Sequence, residues 1–297
     1  MTVGNEPWTV RRLLEWTTQY FTRKELDASR LSAELLLSHV LALPRIRLYT
    51  NYETPLSEQN LARFRELVKR AGEHEPVQYL TGRAHFFNLE LQVTRDTLIP
   101  RPETETLVEH VLQAQRNIAG METPRVLDLC TGSGCIAAAI ARNLKTATVV
   151  ATEISPAAAA VARRNIESLA LADRVTVLEG DLLAPLEQLT DAHPYDILVS
   201  NPPYIPTAEI ARLDRNVRDY EPLSALDGGA DGLTFPRRIL AESPSRLVAG
   251  ARVYIEIAFD QGPAALEVAG GFPAFEDAKI LRDFGGRDRV LSVRKRA

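Results

Sequence analysis

Asn201-Pro202-Pro203-Tyr204 follows the apolar run Ile197-Leu198-Val199, and its residue types commit the chain to one geometry. Two prolines hold two φ angles near −65° and push the residues before them toward extended backbone, so the carbonyls and the Asn201 side chain point in set directions. Such a frame suits a planar amine. The Asn201 side-chain oxygen and the Pro202 carbonyl can accept its two N–H bonds while Tyr204 covers one face, which aims the nitrogen lone pair outward. Asn201, Pro202 and Tyr204 are therefore the candidate catalytic residues, with Pro203 completing the substrate frame.

A second chemical signal lies upstream. The run Cys130-Thr131-Gly132-Ser133-Gly134-Cys135-Ile136-Ala137 matches G-x-G-x-x-A, a pattern whose glycines let backbone approach a ligand and whose following helix offers free N–H groups. Glu153 stands about twenty residues on, where an acid accepts hydrogen bonds from ribose hydroxyls. A nucleotide-type cofactor is expected on Cys130, Thr131, Gly132, Ser133, Gly134 and Glu153, and the pattern alone suits NAD. Asp128 tips the choice: a carboxylate beside the turn would repel a pyrophosphate, whereas S-adenosylmethionine brings an ammonium and a sulfonium. Asp181 is placed to meet the adenine amino group and Leu182 to pack on the ring. Asn201 would border the same cofactor.

These residues need a frame of alternating strands and helices. Strands are expected at 125–129, 148–152, 175–178, 196–199 and 252–257, and helices at 135–144 and 156–169 after one near 104–118. The alternation means an α/β fold with a mostly parallel, Rossmann-like sheet. Candidate strands at 278–281 and 289–293 flank Phe284-Gly285-Gly286-Arg287-Asp288 and would close the sheet as an antiparallel pair. Ahead of this domain, apolar residues at helical offsets predict three amphipathic helices, Trp8 to about Lys24, Ser29 to Leu43 and Ser57 to Ala71, with Thr9 and Ser57 as caps. The run Ala84 to Val93 reads as a β-hairpin. The expected organisation is a helical bundle over 1–80, a hairpin linker over 81–97, and a catalytic domain over 98–297.

Composition excludes several classes. A chain of 297 residues fits two domains at about 150 residues each, and 45% hydrophobic with 25% charged residues is globular. The formal net charge of −4 offers no footprint for a phosphate backbone. No run approaches the roughly 18 apolar residues of a membrane helix, and residues 1–6 lack a leader pattern, so a cytoplasmic protein is expected. The two cysteines lie five apart in one motif, which rules out a disulfide framework, and His39, His74, His85, His110 and His193 are scattered, so no metal site is expected.

The proline pair together with Asp128 to Gly134 resembles class I S-adenosylmethionine-dependent methyltransferases that modify planar amino groups. Leu98-Ile99-Pro100-Arg101-Pro102-Glu103-Thr104-Glu105 is similar to the signature of bacterial release-factor glutamine methyltransferases. So are Tyr79-Leu80-Thr81-Gly82, Glu221 to Leu226, Asp231-Gly232-Leu233 and Gly286-Arg287-Asp288-Arg289. The resemblance spans nearly the whole chain, departing at Cys130, where the family often has Gly and related ribosomal-protein enzymes carry the same Cys-Thr-Gly-Ser-Gly-Cys run. It implies S-adenosylmethionine as cofactor and the glutamine of the Gly-Gly-Gln loop in class 1 release factors as substrate. It also implies Arg101 and Glu103 in the substrate pocket, the bundle as a grip on the protein substrate, the Glu221–Leu233 loop as site cover, and a monomer with no membrane or direct nucleic-acid partner. The alternatives are a ribosomal-protein glutamine methyltransferase, an adenine-amine DNA methyltransferase, and a non-catalytic NAD- or adenosine-sensing module.

If Glu153 accepts from ribose hydroxyls, Glu153→Ala is expected to weaken S-adenosylmethionine binding by about 1.5–3 kcal/mol, the range for hydrogen bonds to a charged group. Titration calorimetry giving unchanged affinity would remove Glu153 from that role.

Overall fold

The computed structural model describes residues 7–117, 120–189 and 193–297. Residues 1–6, considered above for a leader, and Ile118, expected as a helix end, lie outside them. The chain divides into two compact units, Met1–Arg83 with Arg215–Tyr220, and Ala84–Asp214 with Glu221–Ala297.

The first unit contains α1 (Val10–Arg23), α2 (Ser29–Leu41), α3 (Arg45–Thr50), α4 (Glu58–Gly72) and α5 (Val77–Thr81). Thr9 caps α1 by accepting from the Arg12 amide, and Ser57 caps α4 by accepting from Asn60. Leu14, Phe21, Leu36, Leu37 and Phe64 are fully buried between the helices. Two features depart from the sequence pattern. Helices α3 and α5 each begin after a proline, Pro44 or Pro76, and are too short to show a helical period. Helix α2 stops two residues before Leu43 because Ala42 takes φ +51°, and it buries Leu37 while Leu31 stays exposed.

The second unit opens at Ala84, within β1 (Arg83–Phe86), which joins β2 (Leu89–Gln92) through Phe87 and Asn88 at φ +47° and +63°, the paired left-handed conformations of a two-residue hairpin turn. It continues through α6 (Glu105–Asn117), β3 (Arg125–Leu129), α7 (Cys135–Asn143), β4 (Thr148–Glu153), α8 (Pro156–Ser168), β5 (Val175–Glu179) and β6 (Tyr195–Ser200). The short α9 (Arg215–Arg218) is counted with the first unit. Then come α10 (Thr234–Glu242), β7 (Leu247–Glu256), α11 (Gly262–Gly270), β8 (Phe275–Arg282) and β9 (Asp288–Lys295).

The seven long strands form one sheet in the order β5-β4-β3-β6-β7-β9-β8, parallel from β5 to β7 and closed by antiparallel β9 and β8. Alternate residues serve opposite faces: Val126, Ile197 and Val199 pack with α6, α7 and α8, whereas Leu127, Leu198 and Val253 pack with α10 and α11. Strand β7 begins at Leu247, five residues earlier than its apolar run suggests, because Gly250 at φ +81° interrupts the alternation and the register with β6 shifts there. From β3 the chain winds outward to β5 and then returns to the other side of β3 with β6. That reversal opens a crevice at the carboxyl ends of β3 and β6.

The hairpin expected as a linker buries Phe86, Leu89 and Leu91 in the core of the second unit. It is tied there by Asn165 of α8, whose side chain accepts from the Gln92 amide at 2.7 Å and donates to the Gln92 and Ser133 carbonyls at 2.9 and 2.8 Å. One fully buried amide thus joins the hairpin to the glycine turn. Asn165→Ala leaves three backbone groups without a partner, and a loss of about 2–5 kcal/mol in unfolding free energy is expected, read by denaturant titration. A loss under about 1 kcal/mol would mean the hairpin is held by its apolar side chains alone.

Candidate functional site

A cleft of about 250 Å³ lies at the crevice where the sheet reverses. Its floor is the turn between β3 and α7. Asp128, on β3, is fully buried, and its Oδ2 accepts from the Thr131 hydroxyl at 2.6 Å and the Ala137 amide at 3.2 Å. One oxygen therefore holds the residues on both sides of the glycines. The other, Oδ1, has no hydrogen-bond partner. Burial, reinforced by the charge of Glu153, pushes the Asp128 carboxyl up to about 7 against the pull of these two hydrogen bonds.

Within the turn, Gly132 has φ +57° and its side-chain direction opens into free space, so the backbone is bare toward the cleft. Gly134 has φ +79°, and a Cβ there would press on Ala162 of α8 at 3.2 Å. The first glycine leaves room for a ligand; the second lets two helices pack. Cys130 takes φ +59°, a conformation that favours glycine. Burial and the charge of Glu153 raise its thiol pKa, so the sulfur stays neutral.

Glu153 ends β4 on the cleft wall. Its Oε2 accepts from the Gly132 amide at 2.8 Å and its Oε1 from the Ser155 amide at 2.9 Å. Burial raises its pKa, opposed by the Ser155, Gly132 and Ile154 amides. Since a carboxylate offers about four acceptor sites, lone pairs are left for hydroxyl donors. Across the cleft, Leu182 is buried, and Asp181 is held by the Arg238 guanidinium of α10 at 2.8 and 3.1 Å.

Asn201 follows β6. Its Nδ2 donates to the Thr104 hydroxyl at 3.1 Å, while its Oδ1 is buried without a partner. A buried amide oxygen without a partner, on a residue that lines a cleft, is a prepared acceptor. Pro203 lines the cleft beside it, as does Arg101, which is paired with the buried Glu221 at 2.6 Å. Glu221 also accepts from the Ile99 amide, so one carboxylate joins the Leu98–Glu105 segment to the loop after it. That loop is tied to the proline pair: Ile205 donates to Leu226, Gly228 donates to Ile205, and Gln261 donates to the Tyr204 carbonyl at 2.8 Å. Its Ser224, Ala225 and Asp227 reach the cleft.

Of the residues singled out from sequence, Cys130, Thr131, Gly132, Ser133, Glu153, Asp181, Leu182, Asn201, Pro203 and Arg101 meet at the cleft. Five do not line it. Asp128 sits beneath the turn, Gly134 packs against α8, the Pro202 side chain is buried, and Glu103 is exposed. Tyr204 sends its hydroxyl to Glu256 at 3.4 Å, and burial with the nearby Glu256 charge keeps that phenol protonated. Sequence reasoning missed Thr104 and Glu256. Thr104 stands inside the Leu98–Glu105 segment, and Glu256 is one more acid at a strand end, as Glu153 is at the end of β4.

Residues 12–82 match the PrmC N-terminal domain family and residues 102–213 the methyltransferase small domain family. The chain is 40% identical over 295 residues to a release factor glutamine methyltransferase of Rhodopirellula baltica, covering 99% of each chain. It is 42% identical over 294 residues to that of Geobacter sulfurreducens, again with 99% of each covered. The solved N-terminal domain of human METTL16 in complex with SAH shares the fold, with a TM-score of 0.52 at 19% identity over 71% of this chain and 76% of that one.

Ionisation of Asp128 should be visible in stability. Its folded pKa of about 7 lies above its unfolded value near 4, so its contribution is complete below about pH 4 and is lost as pH rises through 7, at about 1.4 kcal/mol per unit. Asp128→Asn keeps an oxygen for Thr131 and Ala137 but cannot ionise. Unfolding free energies of wild type minus variant should therefore decline from pH 4 to pH 7. A difference that does not vary with pH would contradict the raised pKa.

Proposed function

The chain belongs to the release factor glutamine methyltransferase family, and from that premise we propose that it transfers a methyl group from S-adenosylmethionine to the side-chain amide nitrogen of the Gly-Gly-Gln glutamine in class 1 peptide chain release factors. The observation that carries this reading is Asn201, which lines the cleft with its Nδ2 held by Thr104 and its buried Oδ1 without a partner. An amide nitrogen is a poor nucleophile because its lone pair is delocalised, and no side chain here is basic enough to deprotonate it first. Positioning is left to supply the rate. Asn201 Oδ1 and the Pro202 carbonyl would accept the two N–H bonds of the glutamine, raising electron density on nitrogen and fixing its approach. Well-oriented geometry of this kind is worth roughly 7–11 kcal/mol, and acceptors facing developing positive charge add to it.

The cofactor fits the donor set of the cleft: bare backbone at Gly132, free lone pairs on Glu153 for ribose hydroxyls, Asp181 and Leu182 for adenine, and nearby acids for a cation. When bound it supplies a methyl group on a positively charged sulfur. Asp128 would act from beneath the turn, adding negative potential without touching the ligand. Arg101 and its Glu221 partner hold the rim on the substrate side. The first unit would grip the protein substrate, since binding energy from remote surfaces is what places a weak nucleophile. Among the described residues no helix is long and apolar enough to cross a membrane. The enzyme is proposed to work as a cytoplasmic monomer, where its substrate works, without a nucleic-acid partner, in keeping with a formal net charge of −4.

Labelled methyl transfer to intact release factor, ribosomal protein and DNA, run side by side with mapping of the modified residue, tests this assignment. Label is expected on the release-factor glutamine. Asn201→Ala should lower kcat by at least a hundredfold while cofactor affinity changes less than threefold. Label confined to ribosomal protein or DNA would overturn the substrate, and normal turnover by Asn201→Ala would overturn the positioning mechanism.

A further inference from the structure

An asparagine is useful as an acceptor only if its amide is the right way round. Rotating the side chain by half a turn exchanges Oδ1 for Nδ2 and would present a donor to a substrate that itself donates. Thr104 does not decide this alone, because a hydroxyl can accept from Nδ2 or donate to Oδ1 equally well. The destination of the Thr104 proton is what decides. Beyond Thr104 stands Glu256, the last residue of β7, with no exposed surface. Its Oε1 takes the Tyr204 hydroxyl at 3.4 Å, its Oε2 is buried without a hydrogen-bond partner, and the Thr104 hydroxyl is near enough to favour its charged form.

We propose that Glu256 is a positioning residue for the methyl transfer: by drawing the Thr104 hydroxyl proton toward itself it leaves Thr104 only able to accept, which fixes the Asn201 amide with its oxygen toward the substrate. The proposal rests on the glutamine methyltransferase reading for its effect on rate, but not for its geometry. An ionised carboxylate is acceptor-only, so the polarity runs one way from Asn201 Nδ2 through Thr104 to Glu256. A protonated or amide side chain at 256 could donate to Thr104 and reverse the chain.

Glu256 is poised to lose its charge under mild acid. Burial raises its pKa to about 7, opposed by the Thr104 hydroxyl, the Arg289 charge and the Tyr204 hydroxyl, and reinforced by Glu103. The groups facing it are thus Thr104 and Glu103 ahead of α6, Tyr204 after β6 and Arg289 on β9, with the Cys135 thiol of α7 also within reach of its charge. Raised pKa values of this kind mark sites where charge is kept for use rather than for stability.

The test compares wild type, Glu256→Gln, Thr104→Val and Thr104→Ser in the full chain. With intact release factor at pH 8, Glu256→Gln is expected to lower kcat at least tenfold with KM within twofold, and to abolish an acid limb in kcat that wild type shows below about pH 7. Thr104→Ser, which keeps the hydroxyl, should exceed Thr104→Val in kcat by at least tenfold. Asparagine-selective ¹⁵N labelling gives a readout without substrate. The Asn201 side-chain amide signal, assigned by its loss in Asn201→Ala, should shift between pH 6 and 8 in wild type and not in Glu256→Gln. If wild type does not methylate release factor, the functional reading fails while the ¹⁵N result still decides the geometry. Wild-type kcat and an unchanged acid limb in Glu256→Gln, or an Asn201 signal indifferent to pH, would overturn the proposal. Should Glu256→Gln not fold, equal kcat for Thr104→Val and Thr104→Ser would overturn it instead.

Discussion

One buried oxygen, Asp128 Oδ2, determines whether the cleft has a floor. By accepting from Thr131 before the glycines and Ala137 after them, it closes the turn on itself and sets where α7 begins. With the turn closed, the Gly132 amide lies within 2.8 Å of Glu153, so the end of β4 is latched to the end of β3. The Thr131 amide adds a bond to the Thr152 carbonyl, and Ser200 of β6 donates to the Leu129 carbonyl. Three neighbouring strand ends are thereby held at fixed spacing around an open space. Hydrogen bonds in such a buried, low-dielectric place are costly to break once made.

The opposite wall depends on the same logic carried by backbone packing. Gly228 and Gly232 pass so close to Tyr204 that a Cβ on either would overlap its main chain, and Gln261 bonds the Tyr204 carbonyl beside Gly232. The proline pair is thus clamped from behind by a loop distant in sequence. The clamp leaves the Asn201 side chain as the part of that segment free to present chemistry, and Thr104 as the group that orients it.

The site is expensive for the fold. Asp128, Glu153 and Glu256 are each buried with a raised pKa, and burying carboxylates disfavours their charged forms. A protein selected only for stability would replace them with neutral side chains. A positively charged ligand bound beside them would offset that cost. The surface acids of the same unit behave oppositely: Asp231, paired with Arg237 and bonded by the Leu233 amide, is held down at about 2.

The α/β alternation, the glycine turn, the hairpin and the rigid proline frame are legible in the sequence, because each depends on periodicity or backbone conformations written in consecutive residues. The sequence also supplied ten of the residues that meet in the cleft. It misjudged features too short or too interrupted to show a period, such as α3, α5 and the first half of β7. What each charged side chain meets depends on the packing of distant segments. Asp181 acquires Arg238, and Arg101 acquires Glu221. The same holds for Asn201 with Thr104 and for Asn165 with Gln92. Such partners stand tens to more than a hundred residues apart, so no local pattern records them. A side chain's role follows from what it meets, and that is settled when the sheet reverses direction at β3 and brings distant strand ends together.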